Sequence, residues 1–211
     1  MVRKVRDLEV RLAEGNEKLT RLIDAAAHLF YTSGYDATSV RDIATAVGIL
    51  KGSVYSHIDS KEDLLYSIVS EAHGRFVAAL DEVRYTEGSP IARLRAHLTT
   101  YLRLIMTNLE KVRVYDRNWR SLSEPRRGNI AARQRAYQEG VADLIKQAQE
   151  AGEVRPDRNP AMLARLVLFS LNSLNSWFDP RLHDGEEVTR EFVTTLIAGL
   201  QADAGPAAEK R

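Results

Sequence analysis

A chain of 211 residues, 44 % of them hydrophobic, can bury a sizeable core as one large domain or as a small one joined to a larger one. It contains no cysteine, which excludes disulfides, thiolate metal sites and cysteine nucleophiles. Its net charge of +1 excludes a general attraction to polyanions, so any nucleic-acid binding must come from local basic patches.

Residues 1–16 are charged, with Val2, Val5, Leu8 and Leu12 at loose helical spacing among Arg3, Lys4, Arg6 and Arg11. Asp7, Glu9 and Glu14 dilute that charge, which favours a solvated tail over a phosphate-gripping arm. The opening residues lack the apolar run of a signal peptide, and no segment reaches the ~18 apolar residues of a membrane span. The expectation is a soluble, cytoplasmic protein with no membrane partner.

From Glu17 to Ser33 one broad apolar stripe, Leu19, Leu22, Ile23, Ala26, Leu29 and Phe30, predicts a first helix stopped by Gly34. Val40, Ile43, Ala44 and Val47 predict a second, short helix. Ser39 with Asp42 marks its start in the manner of a capping box. Gly48 marks a sharp turn, because a residue without Cβ accepts positive φ. Val54 and Ile58 then recur at i, i+4 and can pack on Ile43 and Val47. Lys51, Ser53, Tyr55, Ser56 and His57 are left facing outward. Ser60 and Asp63 repeat the capping-box pattern ahead of a long helix from Lys61 to about Arg84.

Two helices joined around Gly48 make a helix-turn-helix. The outward residues are short or basic hydrogen-bond donors, and Gly52 lets the backbone come close to a duplex. That chemistry suits a helix entering the major groove. Lys51, Gly52 and Ser53 would lie nearest the bases, Tyr55, His57 and Lys61 nearest the sugar-phosphate strands, and Arg41 within reach of either.

Gly88-Ser89-Pro90 is a clear break. Further helices are predicted from Pro90 to about Asn108, over a shorter piece containing Val112, Tyr115, Trp119 and Leu122 that Pro125 ends, and from Arg127 to Ala151. Two last helices span about Pro160–Phe178 and Gly185–Asp203. The first of these is apolar almost all round, through Leu163, Leu166, Val167, Leu168, Phe169, Leu171, Leu174 and Trp177. The second carries Val188, Phe192, Val193, Leu196, Ile197 and Leu200, and a monomer would struggle to cover both, so a homodimer through these two helices is expected. Tyr101, Ile105, Tyr115, Trp119, Tyr137, Phe169 and Trp177 are candidates to line an apolar effector cavity.

The fold class is therefore all-α, with about nine helices. Residues 17–65 form a helix-turn-helix DNA-binding domain, residues 66–203 a helical ligand-binding and dimerisation domain, and 1–16 and 204–211 are tails. No HExxH, GxSxG or phosphate-loop pattern occurs, so no catalytic residue, metal or cofactor is assigned and the chain is not read as an enzyme. His73 and His97 sharing a metal is the weaker reading beside ordinary polar roles. The rival from another class is a helical enzyme or partner-binding module with a vestigial helix-turn-helix.

The run from about Leu22 to Leu65 resembles the DNA-binding domain of TetR-family transcriptional repressors. It does so on Ala25-Ala26, Leu29-Phe30, Gly34-Tyr35, Thr38, Ile43-Ala44, Val47-Gly48, Gly52, Tyr55, His57 and Lys61-Glu62-Asp63-Leu64. The resemblance implies that Arg41, Lys51, Ser53, Tyr55, His57 and Lys61 match operator-contacting positions. Thr38, Ser39 and Gly52 join them in the predicted interface. Leu50 departs from the pattern, standing where many members carry a serine that caps the recognition helix.

The later segments VRVYDRNWRSLSEP, ARQRAYQEGVADLIKQAQEAGEVRPD and NSWFDP resemble the ligand domain of TetR-type repressors of fatty-acid and sterol degradation. Those respond to acyl-CoA thioesters. The resemblance implies a greasy tunnel with arginines at its mouth, for which Arg117, Arg120, Arg127, Arg133 and Arg135 are candidates. Ser176 and Asp179 stand where such relatives often carry arginines, so a drug-like or other apolar effector stays open. The expected partners are a palindromic double-stranded operator, a small-molecule effector that releases the protein from it, and a second copy of the chain.

Overall fold

The computed structural model describes residues 17–201, so the two expected tails lie outside the described residues. The chain runs through α1 (Glu17–Thr32), α2 (Val40–Val47), α3 (Lys51–Val54), α4 (Lys61–Arg84), α5 (Pro90–Thr107) and α6 (Leu109–Asn118). A 3₁₀ turn (Trp119–Ser121) follows, then α7 (Arg126–Glu150), α8 (Pro160–Asn172), α9 (Leu174–Trp177) and α10 (Gly185–Leu200). The fold is all-α, as expected. Among the described residues the only extended pairing is an isolated bridge between Val154 and Gln201. No helix among them is long and apolar enough to cross a membrane.

Two boundaries differ from the expectation. The recognition helix is a single α-turn, after which His57 N–H bonds the carbonyl of Val54 at 2.9 Å in a tighter turn. The helix beginning at Pro160 breaks at Ser173, where Ser173 Oγ donates to the Ser170 carbonyl at 2.6 Å and Ser176 Oγ to the Ser173 carbonyl at 2.7 Å. Such hydroxyls compete with the helix for its own carbonyls.

The chain divides into two compact units. One holds the described residues up to Gly74 together with Asn108–Ala131, and the other holds Arg75–Thr107 and the residues from Ala132 onward. The first unit is built on Leu22, Ile23, Ala26 and Phe30 of α1, Ile43 and Ala44 of α2, Val54, Ile58, Leu64, Leu65 and Ile68, with Val114 of α6, all buried. The second buries Leu94, Leu98 and Leu102 of α5 with Val141 and Ile145 of α7, Val167 and Leu171 of α8, and Val193 and Ile197 of α10. On α8 the residues Met162, Leu166 and Phe169 stay exposed, so the apolar sequence of this helix does leave a face uncovered in the single chain.

Candidate nucleic-acid interface

The helix-turn-helix is built from local bonds that its residue types require. Ser39 sits at the N-cap of α2 in an extended conformation, and its Oγ accepts the N–H of Asp42 at 3.2 Å. The Asp42 carboxylate accepts the Ser39 N–H at 2.8 Å, completing the box. These hydrogen bonds from Ser39 hold the Asp42 carboxyl below its usual range. Gly48 ends α2 at φ +75°, its N–H bonding Thr45 at 3.1 Å while Ile49 N–H bonds Ala44 at 3.0 Å.

Buried Ile43 and Ala44 meet buried Val54 and Ile58 in one core. With those side chains turned inward, Lys51, Gly52, Ser53 and Tyr55 are exposed together on α3 and its end, with Arg41 and Ser39 exposed on and before α2. A Cβ at Gly52 would meet nothing within 4 Å, so the backbone there is open to close approach. His57 is half-buried.

Two members of the predicted set take other places. Thr38 is buried, and its hydroxyl donates to the Gly34 carbonyl in the loop after α1 at 2.8 Å, which gives that buried group the partner it requires. Lys61 points into the protein. Its ammonium donates to the carbonyls of Tyr35 at 2.7 Å and Thr38 at 3.0 Å and lies 4.2 Å from the centre of the Tyr35 ring. It fastens the loop after α1 to the start of α4.

Other polar contacts of this unit escape a reading by spacing. Lys111 of α6 pairs with Asp24 of α1 at 2.8 Å and with Glu71 of α4 at 3.0 Å. Arg113 donates to the Tyr31 hydroxyl at 2.8 Å, and His28 meets Glu110 at 3.2 Å. Arg126 pairs with Asp63, whose other oxygen accepts the N–H groups of Asp59 and Ser60 at the start of α4. The only sequence signal is the alternation of charged and apolar residues along α6.

The effector candidates fall in both units. In the first, Tyr115 is half-buried with its hydroxyl 3.2 Å from His73 Nδ1, Trp119 lies 4.5 Å under the Arg120 guanidinium, and Arg117 is exposed. In the second, Ile105 is buried, and Tyr101 is stacked 4.3 Å from Phe76 with its hydroxyl donating to Asn172 at 2.8 Å. Tyr137 is buried with its hydroxyl 2.7 Å from His97 Nε2, and Arg133 is half-buried. Burial pushes His97 down to about 4, so the ring is neutral in neutral solution. Two aromatics depart from the cavity reading. Phe169 is 80 % exposed on α8, and Trp177 packs against Phe192 and His183 at the surface, because the break at Ser173 turns its segment off the helix. A groove of about 480 Å³ between α5 and the end of α10, with Arg95, Thr99, Arg103 and Ile197 among its walls, holds none of the predicted residues. No group of three or more His, Asp or Glu side chains among the described residues is arranged to hold a metal.

The family model for bacterial regulatory proteins of the tetR family matches residues 22–68, and that for the tetracyclin repressor-like C-terminal domain matches residues 87–200. The HTH-type transcriptional repressor KstR2 of Mycobacterium tuberculosis is 26 % identical over 187 residues, covering 88 % of this chain and 94 % of that one. The TetR-family regulator PfmR from Thermus thermophilus superposes with a TM-score of 0.79 at 31 % identity, covering 86 % of this chain and 100 % of that one. AibR, solved in complex with isovaleryl coenzyme A and operator DNA, superposes with a TM-score of 0.77 at 27 % identity, covering 85 % and 97 %.

Proposed function

Because the chain belongs to the TetR family of bacterial regulatory proteins and is a transcriptional regulator rather than an enzyme, we propose that it is a repressor released from its operator by a small apolar effector. The observation that carries this reading is the exposed row Lys51, Gly52, Ser53 and Tyr55, held outward by the burial of Ile43, Ala44, Val54 and Ile58. Lys51 and Ser53 supply donors for base edges, Arg41, Tyr55 and His57 grip the strands, and Gly52 gives the backbone room. Residues 17–65 carry this role, and residues 66–203 bind effector and a second copy.

The operator is palindromic, and two recognition helices enter successive major grooves ~34–36 Å apart or a multiple of that. The copies pair through α8 and α10, and on α8 Met162, Leu166 and Phe169 are exposed apolar groups that a second copy would cover. The effector we favour is an acyl-CoA. The crystal complex of AibR with isovaleryl coenzyme A supports it, as do Tyr115 and Trp119, suited to an acyl chain, and Arg117 and Arg120 of the same unit, suited to phosphates. Such a ligand acts only through its affinity difference between the DNA-competent state and the released one.

A gel shift on duplexes enriched by the chain from a random pool, with and without acyl-CoAs of graded length, tests both parts. Binding that acyl-CoA abolishes is the expected result. A shift that persists at saturating acyl-CoA overturns that effector and leaves the repressor, whereas no enriched duplex overturns the DNA-binding reading.

A further inference from the structure

We propose that Leu50 is a specificity-determining residue of the interface, packing its side chain on the C5-methyl group of a thymine in each half-site. The inference rests on the DNA-binding reading above.

Leu50 is 80 % exposed, and it and Tyr55 are the exposed large apolar side chains of the first unit among the described residues. A single exposed leucine needs no explanation by itself, but this one occupies an unusual place. It is the N-cap of the recognition helix, at φ −70° and ψ 143°, and makes no side-chain capping bond. That position favours Ser, Thr, Asp or Asn, whose side-chain oxygen takes up an otherwise unpaired N–H. Leucine supplies no such oxygen. Its backbone already does the work of the cap, its carbonyl accepting Ser53 N–H at 2.9 Å, so the side chain is spare and directed outward.

The place is also where a groove-reading helix meets bases, at its N-terminal end and next to exposed Lys51 and Gly52. Gly52 has no side chain and open space around it, so that position adds no bulk beside Leu50 and Lys51. Among the groups that base pairs present in the major groove, the thymine methyl is the apolar one. Lys51 and Ser53 act chiefly as donors to oxygens and ring nitrogens and offer a methyl group less apolar surface than a leucine does. A leucine recognises the methyl by removing it from water.

The test uses the full chain and a duplex that it enriches from a random pool. Each thymine is replaced in turn by deoxyuridine, which deletes only the methyl, and affinity is read by fluorescence anisotropy for wild type, Leu50→Ala and Leu50→Ser. We expect one thymine per half-site at which uridine weakens wild-type binding about fourfold, and about fifteenfold when both half-sites are changed. Leu50→Ala should bind the thymine and uridine duplexes alike, with an unchanged melting temperature. Leu50→Ser, which restores a capping oxygen, should also be indifferent to the methyl. Wild type indifferent at every thymine, or Leu50→Ala keeping the full difference, overturns the inference and leaves the DNA-binding reading standing. A pool that enriches nothing brings down both.

Discussion

Lys51 and Lys61 carry the same charge on neighbouring helices and are employed in opposite ways. Lys51 ends in solvent beside Gly52, whereas Lys61 spends its ammonium on the backbone carbonyls of Tyr35, Asp36 and Thr38. Lys51→Ala is therefore expected to weaken operator binding by about 1–3 kcal/mol and relax the preference at one base pair, with the melting temperature unchanged. Lys61→Ala should lower stability by about 1.5–3 kcal/mol, since carbonyls that accepted a charged donor lose it. Denaturant titration beside anisotropy separates the two, and a Lys61 variant of normal stability that loses only affinity would return this residue to the phosphates. His97 makes a third case. Its folded value of about 4 lies below the ordinary 6.5, because burial disfavours the imidazolium. The unfolded chain thus takes up the proton first as the solution is acidified. The contribution to stability is complete above about pH 6.5 and drains as pH falls toward 4, amounting to about 2 kcal/mol lost between pH 7 and pH 5. His97→Gln, which does not titrate, should flatten that part of the stability profile by this amount; equal slopes in the two proteins would refute it.

At the scale of elements, the recognition helix is too short to hold itself. A single α-turn has no helical stability of its own in water, so α3 exists because Val54 and Ile58 are buried against Ile43 and because Gly48 brings it there. Gly48 stands at φ +75°, and a Cβ at that site would touch nothing within 4 Å. Gly48→Ala should accordingly cost about 1–2 kcal/mol through backbone strain alone, and Gly48→Asn should recover part of it. Urea midpoints measure this, and an unchanged midpoint for Gly48→Ala would show that the turn tolerates a different geometry. Element types and most boundaries are readable from spacing and caps, down to the Ser39 box and the Lys61 start of α4. The break at Ser173 is not, since Leu168, Leu171, Leu174 and Trp177 continue a helical rhythm across it and only the hydroxyl bonds of Ser173 and Ser176 mark the interruption.

For the whole molecule, the exposed apolar face of α8 and the near-neutral charge make two linked demands. In the proposed dimer a second copy would cover Met162, Leu166 and Phe169, and two half-site contacts would supply the affinity that a net charge of +1 cannot. The double variant Leu166→Lys with Phe169→Glu should sediment at half the mass of the wild type, keep its helical spectrum, and lose most of its hold on a two-half-site duplex. A variant that stays dimeric would move the interface elsewhere. The residues in order are enough to settle an all-helical chain, a helix-turn-helix around Gly48, and the outward Lys51–Tyr55 row, because caps, turns and apolar periodicity act between residues within a turn or two of each other. Only the tertiary structure decided that Thr38 and Lys61 face inward, that Phe169 and Trp177 leave the core, and that His97 lies neutral against Tyr137. Lys61 meets Tyr35 and His97 meets Tyr137 across 26 and 40 positions of chain, and competition for a buried carbonyl or a dry pocket is resolved only when such distant segments pack together.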